Sequence, residues 1–258
     1  MSPASRPLRG IGEIALIAAM VEYGMWGLGP QLRDQPHLIL VYWLLVLGGA
    51  FYMVWLSPII INRDPPDLRG WAWPRQRRDD PGSWKKAWRS YLALTMAIAA
   101  LLTLGSMVFR PGVIAAVDPK TFALRLAGYI VFGPVQALLF FGFFQTRLRT
   151  ILAVGRGPRA IMRHQMMVAA GTATIFSLIH APNLPLMLFT FFAGLAWSCL
   201  FYRRPNILLL GLSHAFLGTV LHQFLLLYMR IGPFYNNPEA RIFRVVIPGL
   251  AELIGKRF

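Results

Sequence analysis

The sequence predicts an all-α fold, a polytopic transmembrane bundle of seven to eight spans forming one domain over residues 1–258. Three observations carry that prediction. Hydrophobic residues make up 56% of the chain and charged residues 14%, with a mean hydropathy of +0.53, whereas soluble domains carry roughly 25% charged residues. The apolar residues gather into seven segments, several of them near the ~20 residues that cross a bilayer. The basic residues fall mainly in the connections, dense and sparse in alternation.

The first segment, Ile11 to Leu28, follows a basic N-terminus. Glu13 and Glu22 interrupt it and no cleavage site follows, so it reads as a retained span or interfacial helix and not a removed signal peptide. Leu38 to Ile61, Tyr91 to Phe109 and Phe122 to Phe144 come next. Met166 to Ile179 is short, and Leu186 to Tyr202 and Ile207 to Met229 complete the set. The family-sized core lies at about 122–230. The tail 231–258, broken by Pro248, is expected to form an interfacial helix or a short eighth span.

Loop charge orders these spans. Asn62 to Arg89, Arg147 to Arg163 and the pair Arg203–Arg204 are strongly basic, while Gln31 to His37 and the turn at Asn183 are nearly free of lysine and arginine. Alternating spans place the basic clusters on one face, the cytoplasmic one by the positive-inside rule, with the N-terminus on that side. The net charge of +16, from 26 Lys+Arg against 10 Asp+Glu, is therefore matched to lipid headgroups and not to nucleic acid. One cysteine, Cys199, excludes a disulfide framework or a cysteine metal site.

Ionisable and amide groups inside apolar spans mark functional positions by default. They are Gln136 and Gln145 on the fourth segment, His180 ending the fifth, and His214 and His222 on the seventh. No Asp or Glu occurs between Asp118 and Glu239. His180 and His214 offer zinc two ligands where a catalytic site takes three, so no cofactor is expected and zinc stays a secondary alternative. Ser213 adjoins His214 on one helix, where neighbouring side chains diverge by about 100°, so the two cannot form an activated serine. His222 reads as structural.

In order and spacing, Gln136-Ala-Leu-Leu-Phe-Phe141, Phe176-Ser-Leu-Ile-His180 and His214-Ala-Phe-Leu-Gly218 resemble the motifs of the CAAX-protease and bacteriocin-processing family of intramembrane endopeptidases, which includes the type II CAAX prenyl proteases. That family carries E-E-x-x-x-R, F-x-x-x-H and H-x-x-x-N on successive spans. The resemblance implies a site built from Gln136, His180 and His214, supported by Phe176, Phe141 and Gly218. It also implies peptide-bond hydrolysis at a membrane-embedded peptide or protein substrate, in a bacterial inner membrane.

The chain departs from the family where the chemistry is hardest. Gln136 stands in place of the water-activating glutamate, and an amide has no useful basicity. Ala137 and Phe141 replace the neighbouring glutamate and arginine, and Gly218 replaces the asparagine that the resemblance assigns to oxyanion binding. Loss of both ion-pair partners together avoids an unpaired buried charge. The sequence therefore leaves two readings: an endopeptidase with His180 as substitute base, or a non-catalytic pseudoprotease that binds a membrane peptide or partner in an immunity or accessory role. A transporter, suggested by a break at Gly133–Pro134, is a more distant alternative.

Overall fold

The structure is a computed structural model that describes residues 5–32, 34–35, 37–71, 83–109, 111–227, 229 and 231–235. Among these residues every regular element is helical. The helices are α1 (Ser5–Glu22), α2 (Leu38–Phe51), α3 (Ser83–Phe109), α4 (Pro119–Ala137), α5 (Thr146–Ile151), α6 (Pro158–Leu178), α7 (Leu184–Arg203) and α8 (Ile207–Phe224). Wider π-helical stretches extend α1 over Tyr23–Leu28 and α2 over Tyr52–Ile61, and join α4 to α5 over Leu138–Gln145.

Local chemistry sets the helix starts. Asp118 accepts from the Thr121 amide at 2.9 Å, and Pro119 opens α4 without needing a donor. Asn183 and Asn206 cap α7 and α8 by accepting from Leu186 N and Leu209 N at 3.3 and 2.9 Å. Gly157, at φ 91°, turns the chain into Pro158 and α6.

Among the described residues, six helical stretches are long and apolar enough to cross a membrane: Pro7–Leu32, Leu38–Ile61, Trp84–Phe109, Pro119–Ile151, Leu184–Arg203 and Ile207–Phe224. The protein is an integral membrane protein. The remaining apolar segment is the helix α6, whose first turns carry Arg159, Arg163, His164 and Gln165 and so shorten its apolar run. Of the tail, Gly232–Phe234 forms a single 3-10 turn, and residues 236–258, where an interfacial helix or a short eighth span was expected, lie outside the described residues.

At the centre, α8 packs against α4 on one side and α3 on the other, and α6 pairs with α7. The α4–α8 crossing is close because it is made at glycine. A Cβ on Gly133 would strike Gly211 O, and one on Gly211 would strike the Pro134 ring and backbone. The chain stays helical through Pro134, passing from α to π geometry only after Ala137. The break that would favour a transporter is absent at Gly133–Pro134, and that pair is the contact point with α8.

Candidate functional site

The F-x-x-x-H spacing has a local cause. Residues four apart share one helix face, so His180 folds back over Phe176. The His180 Nδ1–H donates to Phe176 O at 2.7 Å, and the two rings meet edge-on with centroids 5.2 Å apart. Because that nitrogen holds the proton in the neutral ring, the Nε2 lone pair is left as an acceptor.

His214 reaches the same aromatic ring from α8. Its centroid is 5.7 Å from Phe176 and 5.3 Å from Trp197. Phe176 thus contacts both histidines as a shared apolar platform.

Gln136 belongs to α4. It is half-buried near the end of α4 and makes no hydrogen bond to the described residues. One turn further on, Phe140 meets Phe176 with centroids 5.0 Å apart. The resemblance requires Gln136, His180 and His214 to converge on one water-sized space. The contacts join the two histidines through Phe176 and bring Phe140, four residues beyond Gln136, to the same ring.

The positions that depart from the family are filled by packing. Ala137 is fully buried, and Phe141, 1% exposed, lies 6.0 Å from both the Phe176 and Phe201 ring centroids and 6.4 Å from Trp197. A buried Gly218 faces the ring of Tyr129, offering no donor to an oxyanion. Among the described residues, no group of three or more His, Cys, Asp or Glu side chains is assembled to hold a metal ion.

The other polar candidates belong to the framework. Ser213 Oγ accepts from Trp197 Nε1 at 2.9 Å and shares a 2.6 Å hydrogen bond with Thr95, which ties α3, α7 and α8 together. Ser177 donates to Met187 O at 2.8 Å, and Gln145 donates to Ser198 O at 2.9 Å. His222 is bonded by Arg125 of α4. With its amide turned to accept, Gln223 takes two further Arg125 bonds at 3.0 Å.

One cluster escaped the sequence reading. Arg147, counted there among loop cations, is 1% exposed, with Nε 2.7 Å from Glu13 Oε2 and a second ion pair to Asp64. Glu13 Oε1 also accepts from Ser57 at 2.9 Å, Asn62 at 2.8 Å and Tyr52 at 3.3 Å. The signal was Glu13 itself, since a carboxylate inside an apolar span calls for a buried cation. These carboxylates are committed to Arg147, and the Phe143, Phe144 and Phe140 rings lie between that ion pair and Phe176.

An apolar crevice of about 290 Å³ is lined by Trp84 of α3, Pro134, Val135 and Leu138 of α4, Asn206, Ile207 and Leu208 at the start of α8, and the Gly70–Trp71 turn.

Residues 118–220 match the family model described as type II CAAX prenyl endopeptidase Rce1-like. That match spans all three motif positions and agrees with the resemblance read from them. Comparison with curated proteins and with solved structures finds no match for the chain.

Proposed function

We propose, from that match as premise, that the protein is a non-cleaving relative of the type II CAAX prenyl endopeptidases that binds a membrane-embedded peptide or partner protein. The observation that carries this reading is the absence of any carboxylate between Asp118 and Glu239, the stretch that holds every motif. Water attack on an amide needs a base poised near neutrality and a stabilised oxyanion. Gln136 supplies no base, and Gly218 no donor. Among the described residues the buried carboxylates, Glu13 and Asp64, are bound to Arg147.

Binding asks for less. His180 Nε2 can accept a hydrogen bond, Gln136 can both donate and accept, and the crevice between α3, α4 and α8 takes apolar groups. In this reading the protein lies in a bacterial inner membrane, its bound peptide is held without turnover, and its use is immunity or support of an active protease.

The test is a reconstituted cleavage assay with a quenched, membrane-anchored peptide, comparing wild type, Gln136→Glu and His180→Ala. The expected result is no turnover in wild type or His180→Ala, together with photocrosslinking of the peptide to wild type that falls in His214→Ala. Wild-type cleavage reduced by about 10²-fold or more in His180→Ala, the scale of a lost general base, would instead make the protein a histidine-dependent endopeptidase.

A further inference from the structure

At the basic face, the start of α6 and the end of α7 form an open cleft of about 470 Å³, lined by Pro158, Ile161, Met162, Gln165, Tyr202 and Arg203. Its floor is Gln165, only 5% exposed. The Gln165 amide donates to Cys199 O at 3.1 Å and accepts from Arg203 Nε at the same distance. Arg203 Nη2 also lies 3.9 Å from Met162 Sδ. The guanidinium is therefore fixed in direction by neutral partners, and its charge is not cancelled. No carboxylate exists between Asp118 and Glu239 to cancel it, and among the described residues Arg203 makes no salt bridge.

The adjoining wall is equally well ordered. Tyr202 OH hydrogen-bonds His164 Nδ1 at 2.7 Å, and His164 Nε2–H donates to Leu152 O at 3.1 Å. The Arg149 guanidinium lies over the Tyr202 ring, 4.1 Å from its centroid. Arg149 and Arg203 thus bring two cations to this part of the basic face. The uncapped first turn of α6 adds partial positive charge at the same place. The outer lip, Ile161 and Met162, is apolar and about half exposed, at 49% and 48%.

An oriented cation next to an apolar lip at the membrane surface suits a ligand with both characters. We propose that this cleft binds the phosphate of an anionic phospholipid from the leaflet at the basic face, with Arg203 on the phosphate and the start of an acyl chain along Ile161 and Met162. Guanidinium–phosphate bonds are among the strongest a side chain makes. The site is distinct from the peptide site proposed above and does not depend on that reading.

Native mass spectrometry of the protein taken from phosphatidylcholine vesicles carrying a minor fraction of phosphatidylglycerol tests this. Wild type is expected to retain one phosphatidylglycerol, and Arg203→Gln to hold it about tenfold more weakly. Met162→Glu, at an exposed position, puts a carboxylate beside Arg203 and is expected to do the same, giving a second readout should Arg203→Gln fail to fold. Arg159→Gln, an exposed arginine outside the cleft, is expected to retain lipid as wild type does. Equal losses in Arg159→Gln and Arg203→Gln would mean diffuse attraction and overturn the proposal, as would undiminished retention in Met162→Glu. Displacement of the lipid by inorganic phosphate at equal concentration would also overturn it, in favour of a free-phosphate site.

Discussion

Phe141 shows how one position can be closed to a charge. The protease motif carries an arginine there, whereas here the ring is 1% exposed among Phe176, Trp197 and Phe201. Nothing within that aromatic shell can accept from a guanidinium. Phe141→Arg should therefore destabilise the protein by roughly 3–5 kcal/mol, the cost of an uncompensated buried charge. Ala137 lies one turn back on the same face, so adding Ala137→Glu should recover part of the loss through the restored pair. Thermal unfolding in detergent measures both. If Phe141→Arg melts with wild type, the aromatic shell is not sealed and the packing argument fails. The same logic explains why Gln136 survives at a half-buried position where its neighbours turned apolar, since an amide carries no charge to compensate.

Between elements, the strongest polar tie lies outside the motif region. Glu13 of α1 and Asp64, just beyond the π-helical end of α2, converge on Arg147 of α5. Removing the shared cation leaves two buried carboxylates facing each other. Arg147→Ala should therefore release α1 and the Tyr52–Asp64 segment, and hydrogen–deuterium exchange should rise there while α6 and α7 keep their protection. A uniform rise across all helices, or none, would count against a local tie. This contact also marks where sequence reading stops. Hydropathy is a local property, so segments such as Leu38 to Ile61 and Ile207 to Met229 were legible from residues alone. The fold of His180 onto Phe176 was legible too, because it needs only a spacing of four. The Glu13–Arg147 pair joins positions far apart in sequence, and Arg147 next to Arg149 looks like any loop cation until the helix is seen to continue to Ile151. The π-helical stretch Leu138–Gln145 was equally hidden, since apolar periodicity does not separate it from an α-helix in so uniform a run. For the site, each motif residue could be placed on its helix, but the contact of Phe140 with Phe176 is a product of how the chain after α4 meets α6.

For the whole molecule, the charge of +16 is distributed, and its distribution is what orients the bundle. Arg156, Arg159 and Arg163 crowd the connection from α5 to α6 and the start of α6, and Arg203 and Arg204 close α7 at the same end. Arg204 is tied down there, donating to Lys86 O at 2.6 Å and to Ser90 of α3. The opposite end holds the turn from α3 to α4 around Ile114 and the turn from α6 to α7 at Asn183. A bundle with so lopsided a charge should insert with its basic end toward the cytoplasm, because each positive residue beside a span resists translocation. Val154 and Ile114 report the two ends, being 55% and 45% exposed. In a Cys199→Ser background, Ile114→Cys should react with a membrane-impermeant maleimide in intact cells. Val154→Cys should react only after the membrane is opened. Reversal of the two patterns would turn the bundle over, place the Arg203 cleft in the outer leaflet, and take from the lipid-phosphate site the anionic inner surface that favours its occupancy.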